Sequence, residues 1–334
     1  MMKHFIGIIL GAWISTTSLF AQETSSTNSR SDWKESGSPI ITVFSNFHNG
    51  LGKHNDYSGF ELNRAYLGYQ FEVSPTLSGR VVADVAVLSS DGKSPTTFLK
   101  NAFLRWEDQG FTVHAGLISL TQFQLQERFW GHRYILQSYQ DLYKMGPSAD
   151  LGITGQYQFA PWISADVSLF NGEGYKRINQ DNNYRYSVGT TIKPTKELTF
   201  RLYADQYNSD TESGKNQQTY SFFGRYKCSA FSLGTEYNYQ ANNKFARGND
   251  YYGYSIYTDV PLNARWTLFG RYDQVDSKNT PGNDWFTDGH QLIIGGIEYK
   301  PIKQLRFAPN YQYVVKNKAD SPQHEIYLNV EFAW

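Results

Sequence analysis

Cysteine is almost missing from this chain of 334 residues, with Cys228 as its only example. A lone thiol closes no disulfide framework, and there is no cysteine cluster to hold zinc or an iron–sulfur centre. Charge of one sign is missing as well, since 31 basic residues face 31 acidic ones. Without a clustered stripe of Lys and Arg there is no electrostatic footprint for nucleic acid, which is excluded as a partner. Long apolar runs are absent after residue 22, and the mean hydropathy is −0.54. A spanning helix needs about 18 consecutive apolar residues or more, so a chain of this kind enters a membrane only as a barrel.

What is present favours strands. The 25 Tyr, 22 Phe and 28 Gly suit pleated surfaces and turns. From Ile40 onward the sequence reads as about sixteen segments of period-two alternation, each near the 9–11 residues, roughly, of a tilted membrane strand. The last is the clearest: Ile326, Leu328, Val330, Phe332 and Trp334 alternate with Glu325, Tyr327, Asn329, Glu331 and Ala333. The same phase places Trp266, Leu268 and Tyr272 opposite Arg265, Arg271 and Asp273. Every second connection is a tight turn, as at Asp108-Gln109-Gly110 and Ala160-Pro161, and the others are long and polar. Short turns on one rim and long loops on the other are the layout of an outer-membrane barrel whose turns face the periplasm. Tyr69, Trp106, Phe159 and Trp266 on the turn side, with Tyr186, Tyr220 and Tyr254 on the loop side, read as two interfacial girdles. The expected fold is an all-β, transmembrane, antiparallel up-and-down barrel. Its lumen, at about sixteen strands, is too wide for side chains to fill, so the polar face is expected inward against water.

Three segments follow along the chain. Lys3 and His4, the apolar stretch Phe5 to Phe20 and the small residue of Ala21-Gln22 read as a signal peptide over 1–21. Residues 22–38, rich in Ser, Thr and Asn, read as a flexible periplasmic lead-in, and 39–334 as the barrel. Export to the bacterial outer membrane follows, with outer-membrane lipids around the wall. Trp334, an aromatic ending an amphipathic strand, resembles the signal read by the outer-membrane assembly machinery.

The stretch from Phe60-Glu61-Leu62-Asn63-Arg64 to Tyr69 resembles the Bacteroidetes-type branch of the phosphate-selective porins O and P. So do Glu127 with Phe129-Trp130-Gly131-His132-Arg133-Tyr134, Ser148-Ala149-Asp150-Leu151-Gly152, and Leu169-Phe170-Asn171-Gly172-Glu173-Gly174-Tyr175. The resemblance implies a sixteen-stranded homotrimeric barrel, its third loop folded into the pore, that conducts small anions past rings of Arg and Lys. This chain departs from the family's lysine ladder, because inward lysines are scarce and inward acids are as common as inward arginines.

The third loop, Ser119 to Asp150, is the longest connection and too aromatic for disorder. Folded inward, it would form the constriction with Arg128, His132, Arg133, Asp141 and Lys144, and Arg128 or Arg133 would line the eyelet. Inward strand positions give a pore lining of Arg64, Arg80, Arg105, Arg185, Arg201, Arg225, Arg271 and Arg306 with Asp84, Asp150, Asp205 and Asp273. Read individually, these charges are wall salt bridges; a subset near the constriction would set a local field. No catalytic residue, cofactor or metal site is expected. His114 and His290 lack a serine partner, and His48 and His54 flank a loop without a fixed scaffold. Gly224, Gly270 and Gly296 are read as outer-face positions that let walls pack closely in an oligomer. The function expected is passive diffusion of small hydrophilic solutes, with a modest preference for anions such as phosphate. The alternative is a surface adhesin or receptor whose barrel only anchors its loops.

Overall fold

A computed structural model describes residues 36–52, 57–87, 95–177, 182–278, 285–286, 289–318 and 320–334. The signal peptide, most of the lead-in and His54 lie outside the described residues. Sixteen antiparallel strands close into one barrel in sequence order. They are β1 (Ser36–Leu51), β2 (Ser58–Glu72), β3 (Leu77–Val87), β4 (Pro95–Asp108), β5 (Phe111–Ser119), β6 (Ala149–Ala160), β7 (Ile163–Phe170) and β8 (Arg185–Ile192). The second half comprises β9 (Leu198–Tyr207), β10 (Gln217–Lys227), β11 (Ser232–Ala241), β12 (Tyr251–Pro261), β13 (Trp266–Ser277), β14 (His290–Ile302), β15 (Leu305–Val315) and β16 (Gln323–Ala333). β1 begins at Ser36, so residues 36–38 pair with β2 as part of the wall and do not belong to the lead-in.

The barrel closes because the last strand carries the same outward phase as the first. β16 pairs with β1 from Thr42↔Ala333 to Leu51↔His324. Beyond that register, the Trp334 amide donates to the Ile41 carbonyl at 2.7 Å. Closure leaves no strand edge unpaired in the bilayer, where an unsatisfied peptide group costs several kcal/mol, roughly. Outward positions such as Ile326, Leu328, Ile293, Leu202 and Val188 are exposed, as a lipid-facing wall requires. The girdle residues Tyr69, Trp106, Phe159, Tyr186 and Tyr220 are exposed with them, and Trp266 stacks on Tyr299 at 4.4 Å between centroids. Gly296 departs from its expected outer face. A Cβ there would meet the side chains of Phe269 and Asn310 inside the barrel, whereas Gly224 and Gly270 keep the outward phase.

Two irregularities position functional groups. The β1–β2 register shifts between Phe44 and Ser45, leaving Asn63 without a partner just before Arg64. The β3–β4 register shifts between Val82 and Ala83, leaving Lys100 as the extra residue. A β-bulge re-aims the side chain beside it and breaks the two-residue period.

Candidate functional site: a loop-narrowed lumen

The connection between β5 and β6 folds into the barrel. It carries two short helices, α1 (Gln124–Trp130) and α2 (Tyr139–Leu142). Gly131 ends α1 in the left-handed region at φ 70°, a conformation that costs glycine little, and its amide bonds back to the Glu127 carbonyl. From there the loop crosses the lumen, touching Tyr66 on β2 through Arg133, Asp166 on β7 through Thr121 and Asn329 on β16 through the Tyr134 carbonyl.

Part of the lumen wall beneath the loop is apolar, a departure from the polar inner face expected. Trp130, Tyr134 and Ile135 pack on Phe44, Phe223, Tyr257, Phe269, Leu292, Ile294 and Ala308, all buried and all supplied by strands. Full burial of one such large apolar side chain is worth about 1.5–3 kcal/mol, so this patch holds the loop against β1, β10 and the strands β12 to β15. A second cluster joins Tyr139, Tyr143 and Met145 to Tyr251 and Val275.

Four of the arginines expected to line the pore are instead loop anchors. Each pairs with a wall carboxylate and also donates to a carbonyl of the loop. Arg185 pairs with Asp205 at 2.6 Å and reaches the Met145 carbonyl at 3.2 Å. Arg201 pairs with Asp166 at 2.7 Å and reaches the Thr121 carbonyl at 3.0 Å. Arg271 pairs with Asp273 at 2.6 Å and reaches the Gln137 carbonyl at 2.6 Å. Arg306 pairs with Glu298 and Glu331 and reaches the Gly131 carbonyl at 2.9 Å. The first three pairs are buried, so Arg185, Arg201, Arg271, Asp205 and Asp273 do not face the solute path. Asp150 is also removed from the lining. Buried at the start of β6, it accepts the Leu151 and Gly172 amides at 2.7 and 2.6 Å and so fastens the next loop.

The expected constriction residues separate into two groups. Arg133 pairs with Asp141 at 2.9 Å and Glu127 at 3.4 Å, within the loop itself. His132 is buried, with Nε2 2.8 Å from Asp259 and Nδ1 3.3 Å from Glu298. Arg128 and Lys144 are exposed, and no carboxylate among the described residues pairs with either. These two, rather than Arg133, are the loop's uncompensated cations.

Burial alone would lower the His132 pKa, but hydrogen bonds to Asp259 and Glu298 hold it above its ordinary value. A raised folded value means that this anchor is fully present below the unfolded pKa of about 6.5 and is lost as pH rises through the folded one. The thermal stability of the detergent-solubilised protein should therefore exceed that of a His132→Gln variant at pH 5.5, and the gap should narrow by pH 9. A gap independent of pH would show that the ring is held neutral.

The opposite side of the lumen carries a different arrangement. Arg64, Lys100 and Arg133 all point their nitrogens at the Tyr66 hydroxyl, at 3.1, 3.0 and 3.5 Å. One phenolic oxygen cannot satisfy three cationic donors, and Lys100 has no carboxylate partner among the described residues. Asp84 offsets part of this charge, 3.4 Å from Arg64 and accepting the Tyr175 hydroxyl at 2.5 Å. Two cavities of about 640 and 780 Å³ both reach Arg64 and Gln137, so open space lies on this side of the loop. Of the remaining expected lining residues, Arg105 pairs with Glu107, and Arg225 lies over the Phe129 ring at 5.0 Å. Arg80 is half-buried and has no ion pair among the described residues. His48 is buried between the Tyr57 and Tyr327 rings, a packed residue rather than a ligand. The described residues contain no group of three or more potential metal ligands.

Residues 138–329, more than half of the chain, match the family described as "Putative beta-barrel porin-2, OmpL-like". The chain belongs to that family. The matched description is that of a β-barrel porin, in agreement with the expected porin fold, and it does not mention phosphate. No curated protein sequence matches this chain. Among solved structures, it is similar to Salmonella typhi OmpF in complex with daunomycin, at 10% identity over 89% of this chain and 97% of that one, with a TM-score of 0.70. It is similar to the anion-selective porin from Comamonas acidovorans, at 12% identity over 90% and 100% of the two chains, with a TM-score of 0.68. A trimer form of Vibrio cholerae OmpT is similar at 12% identity over 90% and 99%, with a TM-score of 0.61. The closed barrel and the family are those of a porin of the bacterial outer membrane.

Sequence reasoning did not single out Lys100, Tyr66, Asp259 or Glu298. Lys100 lies at a bulge, where the two-residue phase fails. Asp259 and Glu298 lie on inward positions, and their signal was the lone His132 that they face.

Proposed function

We propose that this porin is a loop-narrowed diffusion channel for small hydrophilic solutes that favours anions, phosphate among them. The observation that carries the reading is how the charges divide. The loop anchors consume Arg185, Arg201, Arg271 and Arg306 against carboxylates. Arg64, Lys100 and Arg133 converge on the Tyr66 hydroxyl beside the open side of the loop, and of these Lys100 has no carboxylate partner among the described residues. Fixed charge at a narrow point, shielded from bulk water, selects ions by sign. The anion-selective porin among the similar structures agrees with this sign. Residues 1–21 serve as the export signal and Trp334 as the assembly signal in this reading. Three copies associate through outer faces such as those around Gly224 and Gly270, a homotrimer that native mass spectrometry from mild detergent would register at three times the chain mass.

Liposome swelling tests the diffusion reading. Proteoliposomes should swell in isosmotic arabinose or glucose and progressively less in larger neutral saccharides. Absence of swelling with every sugar would leave a sealed barrel and favour the surface-binding alternative.

A further inference from the structure

The cavity of about 780 Å³ lies where three loops meet. It is within the range of about 300–1,000 Å³ typical of small-molecule sites. Besides Arg64 and Arg185 of the wall, its cations come from separate loops: Lys144 from the third, Lys176 and Arg177 from the fourth, and Lys244 from the sixth. All four loop cations are exposed, and none pairs with a carboxylate among the described residues. Of the two acids in the lining, Asp141 is tied to Arg133, and Glu173 is the other.

The backbone is bent to present two of these lysines. Lys144 lies at φ 58°, Lys244 at φ 53° and Phe245 at φ 64°, left-handed conformations that residues with a Cβ adopt at a cost. Strain of this kind, held in place by surrounding structure, is concentrated at functional sites. Here the support is visible: Gln217 Oε1 accepts the Lys244 amide at 3.0 Å, the Phe245 carbonyl accepts the Lys215 amide at 2.9 Å, and the Phe245 ring packs on Tyr207 with centroids 4.8 Å apart.

Beside the cations stand aromatic faces and neutral amides. Tyr175, Tyr207 and Phe245 are half-buried and line the cavity, as do Gln137, Gln217 and Asn243. A bare inorganic anion uses the cations and amides but not the aromatic faces. A pyranose ring, whose C–H face packs on aromatic rings and whose hydroxyls meet amides, uses all three kinds of lining when it carries one anionic group.

We propose that this cavity is a binding site for anionic saccharides, with a sugar phosphate as the representative ligand. The site deepens the diffusion reading, because a solute held here waits at the entrance to the narrowed lumen.

Isothermal titration calorimetry on the detergent-solubilised full chain tests the proposal with three probes: glucose 6-phosphate, glucose and inorganic phosphate. Glucose 6-phosphate should bind about tenfold or more tighter than either other probe. Lys176→Gln and Lys244→Gln should each weaken it by about tenfold, the loss expected for one charge-assisted hydrogen bond. Phe245→Ala should weaken glucose 6-phosphate while leaving inorganic phosphate unchanged. Heat-modifiable mobility on gels identifies any variant that has not folded, and only folded variants are compared. Inorganic phosphate binding as tightly as the sugar phosphate, or unchanged affinity in the Lys176→Gln/Lys244→Gln double variant, would overturn the site. Planar-bilayer recording on the same preparation separates the two readings. Binding without conductance contradicts the diffusion channel and leaves the site standing, whereas conductance without binding contradicts the site alone.

Discussion

Replacing Arg271 with alanine should destabilise the barrel by on the order of 3–5 kcal/mol, and single-channel currents should become larger and noisier. The loss in stability comes from Asp273, left charged and buried once its 2.6 Å partner is gone. The change in current has a different origin. Arg271 also holds the Gln137 carbonyl at 2.6 Å, so its loss releases the middle of the third loop from the wall. An Arg271→Met/Asp273→Leu double variant distinguishes the two effects. A buried ion pair exchanged for apolar groups of similar size is often neutral for stability, so thermal unfolding should return close to wild type. The larger current should persist, because the carbonyl still lacks its donor. Recovery of both properties together would show that the loop is held by its apolar contacts alone.

Lys100→Glu should move the reversal potential in a salt gradient towards cations with little effect on stability. Lys100 meets the Tyr66 hydroxyl at 3.0 Å and no carboxylate among the described residues, so reversing its sign breaks no ion pair. A unit charge about 4 Å from an ion is worth about 4 kcal/mol at an effective dielectric of 20 and about 1 in bulk water. Allowing for counter-ions, a change of about tenfold in the anion-to-cation permeability ratio is expected, equivalent to about 1.4 kcal/mol. Arg133→Glu should behave differently. It would place a third carboxylate beside Glu127 and Asp141, its present partners, and should unsettle the loop itself. Selectivity measured together with unfolding temperature tells these cases apart. A selectivity change from Arg133→Glu at unaltered stability, with none from Lys100→Glu, would place the filter on the loop rather than on the wall facing it.

The barrel itself was legible because lipid on one side and water on the other impose a two-residue period. Loops longer than their turns then mark one rim. Sixteen segments and the closing strand follow from those regularities, and the inward fold of the third loop was implied by the family resemblance. The site was less legible, for three physical reasons. Alternation shows that Arg185, Arg201 and Arg271 face inward, but an inward arginine facing water and one donating to a loop carbonyl share the same phase. The bulges at Asn63 and Lys100 shift the phase by one residue where the cations gather. Finally, Leu292 and Ile294 occupy inward positions on either side of the outward Ile293, a doubly apolar stretch that marks loop packing on the lumen side. The pairing of Arg133 was hidden because its partners Glu127 and Asp141 belong to its own loop, and a count of loop charges cannot show which of them pair.

The reversal potential of the wild-type protein in a tenfold potassium chloride gradient across a planar bilayer tests the central claim most directly. A narrowed lumen with Arg64, Lys100 and Lys144 beside its open path should pass chloride more readily than potassium, giving a potential of the anion-selective sign that shrinks as salt screens the charges. A conducting channel with no preference, or with the cation-selective sign, would contradict the claim.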